Sequence, residues 1–301
     1  MSTEQDPAVA RPSGDVLTSP ARPPDLVLRY GEGSDQVADV HVPPPEPGWG
    51  SAARGERARL AVFLHGGFWR AQYDRQHTAP LAEALAAAGF VVCAPEYRRT
   101  GRGRGGGGGW PETFDDVAAA MDRLPGLVAE ATDGLVDGRS MVVAGHSAGG
   151  HLALWAASRH RLPGGSPWRA EARPGCGVVA LAAVSDLTEC QRLRLGGRAA
   201  DALIGGGPKR FPERYEAADP ARLLPVGSRV LLVHGTADDR VPPEMSVGYA
   251  AEARAAGDTE VDCVLRPGAG HFDLIDPLSG AWPSVLAAFR SAHPPVQRAA
   301  P

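Results

Sequence analysis

Met141-Val142-Val143-Ala144 runs directly into Gly145-His146-Ser147-Ala148-Gly149-Gly150-His151. A short apolar strand that breaks into GxSxG and continues as a helix-forming stretch is the pattern of a sharp strand-to-helix turn, one that lifts a serine hydroxyl above the edge of a sheet. Gly145 and Gly149 flank the serine because a Cβ at either position would collide with the neighbouring strand or helix in so tight a turn. Ser147 is therefore the candidate nucleophile. A serine in that role needs a base, a carboxylate to orient the base, and N–H donors for an oxyanion.

The carboxylate candidate follows the apolar run Val230-Leu231-Leu232-Val233-His234-Gly235, which reads as a buried parallel strand ending at its carboxyl edge, where sites form in open α/β sheets. Asp238 lies in the loop just beyond and is preferred over Asp239, which suits a solvent-facing partner of Arg240 or a cap for a helix starting near Pro243. His234 is expected to pack at the strand end. The base candidate is His271 in Gly268-Ala269-Gly270-His271-Phe272, one helix and one strand after Asp238, where the two glycines let the loop swing back toward the serine. His146 and His151 flank Ser147 without the spacing a base needs and read as packing residues, while His41, His77, His160 and His293 stand outside these contexts.

Oxyanion donors are expected from Leu60-Ala61-Val62-Phe63-Leu64-His65-Gly66-Gly67-Phe68-Trp69, a second apolar strand that breaks into a glycine pair. The Gly67 and Phe68 amides are the candidates on one side and the Ala148 amide on the other, with Gly66 needed only to turn the chain. The order serine, aspartate, histidine and the segments HisGlyGlyPheTrp, GlyHisSerAlaGlyGlyHisLeu, HisGlyThrAlaAsp and GlyHisPheAspLeu together resemble the α/β-hydrolase superfamily, close to its kynurenine formamidase (arylformamidase) and carboxylesterase branch. The likeness spans roughly residues 35 to 292, and the HGGxW motif of that branch is matched by His65, Gly66, Gly67, Phe68 and Trp69. The resemblance implies a serine hydrolase acting on a small-molecule ester or aryl formamide, with Ser147, Asp238 and His271 as the triad and Gly67, Phe68 and Ala148 as the oxyanion hole. Trp69, Tyr97, Trp110 and Phe272 are the expected aromatic walls of the substrate pocket.

Such a triad works without a metal or organic cofactor. Two other readings stay open at this point: a general short-chain carboxylesterase, which uses the same residues, and a peptidase-like or non-catalytic ligand-binding relative. A prolyl oligopeptidase-type propeller would need several repeats of about 40–50 residues, which 301 residues do not accommodate beside this domain.

Composition agrees with one α/β domain. The chain is 43% hydrophobic, enough to bury a large core, and its net charge of −4 gives no basic footprint for nucleic acid. Cys93, Cys176, Cys190 and Cys263 show no metal spacing and read as free thiols. The polar first residues do not resemble a signal peptide and no run approaches the ~18 apolar residues of a membrane span, so a soluble cytoplasmic protein is expected. Strand-like runs near 36–42, 60–65, 89–94, 140–145, 177–183, 229–234 and 260–265 alternate with helix-like stretches near 78–88, 113–124, 148–160, 243–256 and 281–291, which predicts a mostly parallel central sheet flanked by helices. Residues 1–25 read as a disordered leader, 26–293 as a single domain with a small cap-like insertion over about 186–226, and 294–301 as a frayed tail. The glycine run 101–109 lacks the GK[ST] ending of a phosphate loop and reads as a flexible loop beside the site.

Overall fold

A computed structural model describes residues 15–44, 57–171 and 176–292. In chain order these form β1 (Leu26–Arg29), β2 (Val37–His41), β3 (Ala58–Leu64), α1 (Ala79–Ala87), β4 (Phe90–Pro95), α2 (Glu112–Ala131), β5 (Val136–His146), α3 (Ala148–Ala157), β6 (Cys176–Leu181), α4 (Leu187–Arg192), α5 (Leu195–Ile204), α6 (Pro212–Ala218), β7 (Val230–Gly235), α7 (Pro243–Ala255), β8 (Val261–Arg266) and α8 (Trp282–Ala292). The eight strands make one sheet in the order β1-β2-β4-β3-β5-β6-β7-β8. Pairing is parallel from β4 through β8, while β1 and β2 join antiparallel at one edge.

The central strands lie between helical layers, so both of their faces are apolar: every residue of β4, β6 and β7 is buried. On one side, Phe114, Val117, Met121 and Leu124 recur at helical spacing, and α2 presents them to the sheet. On the other side α1 and α8 cover Phe63, Phe90 and Val92. The apolar pattern of α2 runs on to Val128, so the helix continues through Pro125 to Ala131 rather than stopping near 124. β1, too short and half-exposed to stand out in the sequence, extends the sheet by pairing with β2.

Between β6 and β7 the insertion carries α4, α5 and α6. Asp219 ties its two ends together: its buried carboxylate accepts from the Leu187 and Thr188 amides, both at 2.9 Å, and from Thr188 Oγ1 at 2.7 Å. An aromatic cluster of Trp110, Phe114, Trp155 and Trp168, with ring centroids 4.7–5.9 Å apart, packs beneath, and the Trp155 indole N–H donates to the Ala217 carbonyl at 2.8 Å.

Two expectations need correction. Residues 15–25 do not behave as a disordered leader: Asp15–Thr18 forms a 3-10 turn, Val16 is buried in the apolar cluster that holds Leu81 and Leu85 of α1, and the Arg22 amide donates to Glu83 at 3.1 Å. An apolar Val16-Leu17 pair inside a polar stretch suffices to dock it. Residues 1–14, His293 and the tail 294–301 lie outside the described residues. The glycine run is not a loose loop either. It wraps around Arg99, with Arg99 N to Gly105 O and Gly108 N to Arg99 O both at 2.8 Å, and a Cβ at Gly105 would stand 2.0 Å from the Arg99 guanidinium. Gly101, Gly103, Gly105, Gly107 and Gly109 all hold positive φ, so the glycines serve a specific tight path. Among the described residues no helix is long and apolar enough to cross a membrane, and Cys93, Cys190 and Cys263 are free thiols.

Asp219→Ala leaves several buried donors at the ends of the insertion without an acceptor. It is expected to cost about 3 kcal/mol in urea unfolding and to open residues 187–218 to limited proteolysis before the rest of the domain. A loss below about 1 kcal/mol with an unchanged digest would contradict this role for the carboxylate.

Candidate active site

Five loops meet above the carboxyl ends of the strands, the edge where ligands gather in parallel sheets. Ser147 stands between β5 and α3 with φ 56° and ψ −118°, a conformation that non-glycine residues rarely adopt. The elbow is held by backbone contacts: Ser147 N donates to Leu181 O at 2.8 Å, and a Cβ on Gly145 would lie 2.2 Å from the Gly149 carbonyl oxygen. Gly149 is pressed against β3, where a Cβ would stand 2.0 Å from Leu64 O and 2.4 Å from His65 O. The serine itself is buried at the base of the site.

Asp238 and His271 come together, with Asp238 Oδ2 2.7 Å from His271 Nδ1. The other carboxylate oxygen accepts the Arg240 and Val241 amides at 2.8 and 2.9 Å. Burial alone would raise this carboxyl, but hydrogen bonds from His234 and His271 outweigh it and hold Asp238 well below the usual carboxylate range. Asp239, by contrast, is exposed and faces Arg240 at 3.4 Å.

Two flanking histidines shape the site. His234 is buried, with Nε2 between Val241 O at 3.0 Å and Asp238 Oδ2 at 3.2 Å and Nδ1 2.7 Å from Ser246 Oγ. It shares the oxygen that His271 uses, a closer role than strand-end packing. His146 Nε2 lies 3.0 Å from the His271 carbonyl, its ring 4.5 Å from the His271 ring. Burial, reinforced by the neighbouring His271, pushes His146 well below the ordinary histidine value, so it stays neutral and donates from Nε2. The residue before Ser147 thereby anchors the backbone of His271 beside the elbow. His151 turns away, its Nε2 donating to Ala218 O at 2.9 Å and its ring edge-on to Trp69.

The loop after β3 has three consecutive residues at positive φ: Gly67 at 107°, Phe68 at 51° and Trp69 at 56°. Its strained course is held by Arg70 N to Gly67 O at 3.0 Å and by Thr100, whose amide and hydroxyl both donate to Trp69 O at 2.7 and 2.8 Å. Among the described residues the Gly67, Phe68 and Ala148 amides donate to no protein acceptor. The glycine roles differ from the sequence expectation. Gly67, at positive φ, makes the turn and a Cβ on it would stand 2.4 Å from Tyr73 Cβ, while Gly66 closely approaches the serine segment, where a Cβ would stand 2.9 Å from His146 O and 3.2 Å from Ser147 Cβ. On the outer side, Phe68 packs on Gly196 of the insertion, and Arg70 donates to the Gly196 carbonyl.

Of the four expected wall residues, Trp69 and Tyr97 are fully buried beneath the loop, and Trp110 is packed edge-on against Phe114 and Trp168. Their apolar area goes into tying loops together. Phe272 remains partly exposed, its ring 5.1 Å from that of His271. Sequence reasoning passed over Glu96, a buried acid directly after the all-apolar β4, although a charged residue at the carboxyl end of a central strand is a recognisable signal. Its Oε1 lies 2.8 Å from His65 Nε2 and 3.2 Å from Arg99, and Oε2 accepts the Arg75 amide at 3.2 Å. Burial would raise Glu96, yet His65 and Arg99 outweigh it and bring it down to about 2.

A family model described as BD-FAE matches residues 50–252, more than half of the chain. The chain belongs to the BD-FAE family of α/β-hydrolase esterases. The BD-FAE match takes in the loop after β3, Ser147 and Asp238 and ends before β8 and His271. Esterase LipC of Mycobacterium tuberculosis is 27% identical over 82% of this chain, and Esterase LipQ of the same organism is 26% identical over 82%. The chain spans 59% and 57% of the lengths of these two relatives. Among solved structures, a truncated carbohydrate esterase from gut microbiota superposes with a TM-score of 0.68 at 18% identity, covering 90% of this chain and 99% of that one. A Thermogutta terrifontis esterase with bound butyrate superposes with 0.62 at 21% identity, covering 89% and 91%. These likenesses give the α/β-hydrolase fold for this BD-FAE chain.

Asp238→Asn places an amide where two histidine N–H groups need an acceptor and should lower kcat by up to about 10⁴, while Asp239→Asn stays within about twofold of wild type; the reverse ranking in ester hydrolysis would move the acid by one residue. For Glu96, a folded-state value below the unfolded 4.5 means that its ionised form stabilises the fold above pH 4.5 and that this contribution disappears as pH falls toward 2. Glu96→Gln should therefore cost about 3 kcal/mol near pH 6 and clearly less at pH 3, read from urea midpoints. An equal gap at both pH values would contradict the assignment.

Proposed function

We propose that this protein is a serine hydrolase that cleaves small carboxylic esters by two-step acyl transfer. What supports the reading is the bonded Asp238–His271 pair, beside a strained Ser147 elbow and three backbone amides without a protein acceptor among the described residues. Ser147 Oγ forms a bond to the substrate carbonyl carbon as its proton passes to His271 Nε2. Asp238 holds the Nδ1–H tautomer and offsets the imidazolium charge. The carbonyl electrons move onto oxygen, where the Gly67, Phe68 and Ala148 amides receive the negative charge. Collapse of the tetrahedral species breaks the bond to the leaving oxygen, which takes the proton from His271. Water then repeats the sequence on the acyl-enzyme, returning a carboxylic acid and free Ser147.

Membership of an esterase family and the esterase names of the relatives favour an oxygen leaving group. The Thermogutta esterase holds butyrate, a short-chain carboxylate, which supports short acyl groups here. A second reading, hydrolysis of an aryl formamide such as N-formylkynurenine, is favoured by the HisGlyGlyPheTrp loop alone.

The test is a panel of p-nitrophenyl acetate, p-nitrophenyl butyrate and N-formylkynurenine, with Ser147→Ala as the blank. The esters are expected to turn over on the wild-type protein and to fall to background on the variant, with kcat/KM for the esters above that for the formamide. A preference of about a hundredfold or more for the formamide would transfer the assignment to the second reading, being larger than a methylene-sized pocket misfit supplies. Turnover that survives in Ser147→Ala would overturn both.

A further inference from the structure

We propose that Glu96 and His65 form a positioning pair that aims and polarises the peptide between Gly66 and Gly67, making the Gly67 amide the principal oxyanion donor; the inference rests on the hydrolase reading above and adds to it two side chains that do not touch the substrate. His65 is fully buried, and both of its ring nitrogens face oxygens at 2.8 Å: Nε2 the Glu96 carboxylate and Nδ1 the carbonyl of Gly66. A ring that donates from both nitrogens is an imidazolium, and Glu96 is its counter-ion. The ring has little freedom to turn. Tyr97 stacks on it at 4.4 Å with planes 11° apart and donates its hydroxyl to the His65 carbonyl at 2.7 Å, while His77 closes one edge at 5.7 Å. Arg75 and Arg99 complete the charge around Glu96, so the carboxylate is fixed from several sides.

The consequence comes from peptide geometry. Gly66 C=O and Gly67 N–H belong to one planar trans peptide, so they point in opposite directions. Holding the carbonyl oxygen against His65 Nδ1 therefore turns the Gly67 N–H away from His65, and Gly66 itself packs against Ser147 Cβ and the His146 carbonyl. The loop is strained from Gly67 to Trp69, and a bond on the Gly66 oxygen is the contact that stops this peptide from flipping. A charged donor on the oxygen also draws electron density through the amide and strengthens its N–H as a donor, as in any chain of coupled hydrogen bonds. The run from carboxylate to imidazolium, carbonyl, N–H and oxyanion is the counterpart, on the electrophilic side, of the run from Asp238 through His271 to Ser147.

The experiment compares wild type, Glu96→Gln and His65→Gln, each with its melting temperature, for p-nitrophenyl butyrate kinetics and for inhibition by an alkyl trifluoromethyl ketone, whose serine adduct carries an oxyanion. Both variants are expected to lose about 10- to 100-fold in kcat with KM within about threefold, and to lose affinity for the ketone by the same factor as kcat. With selective ¹⁵N-glycine labelling, the Gly67 proton should move downfield when the ketone binds wild type, and less in Glu96→Gln. His65→Gln carries the measurement if Glu96→Gln is too unstable to purify. A folded variant with wild-type kcat and ketone affinity would overturn the pair while leaving the hydrolase reading intact. Loss of KM and kcat together in proportion to lost melting temperature would mark Glu96 as structural only and would also overturn it. If the wild type turned over no ester, or Ser147→Ala changed nothing, the hydrolase reading would fall and the pair's role with it.

Discussion

The site depends on two backbones that touch. Gly149, at the start of α3, lies so close to the carbonyls at the end of β3 that no side chain fits between them, and Gly66, just past β3, approaches the carbonyl of His146 closely enough that a Cβ would stand 2.9 Å from it. Those contacts set the spacing between the serine and the loop that faces it. Packed interiors do not deform continuously, so a methyl group at either glycine would shift Ser147 relative to the loop that faces it. The parallel pairing of β3 with β5, from Leu60–Met141 to Leu64–Gly145, delivers both segments to the same edge at the same height.

Around that contact, charge is distributed in two buried pairs. On the β7–β8 side Asp238 is held by two main-chain amides and two histidines, so its lone pairs are fully engaged before any substrate arrives. On the β4 side Glu96 is held by His65, Arg75 and Arg99. A buried carboxylate is stable only with such partners. The insertion adds a third constraint, since the left-handed turn through Arg194, Gly196, Gly197 and Arg198 places Gly196 directly on the Phe68 ring.

Much of this was legible in the sequence, for reasons that can be named. The central strands are buried on both faces and so appear as unbroken apolar runs, and the motifs at their ends, with Ser147, Asp238 and His271, were readable because tight turns demand glycine. The parts that stayed hidden are those that depend on distant partners. Glu96 stands at the end of an apolar strand, but its partner His65 comes to it only when β4 is placed beside β3, and Tyr97 and Trp69 look like pocket walls until the loop after β3 folds inward. Helices α4 to α6 are short, and glycines interrupt α5, so no long apolar period accumulates. The run 101–109 reads as flexible because its partner, the Arg99 side chain, leaves no periodic trace.

The most direct measurement is reaction with a fluorophosphonate followed by peptide mapping of the adduct. A nucleophile activated by His271 and facing an anion-accepting loop should be labelled stoichiometrically at Ser147 alone, and the labelling rate should fall with Asp238→Asn. A phosphonyl group on any other residue, or a wild-type protein that takes none, would contradict the account.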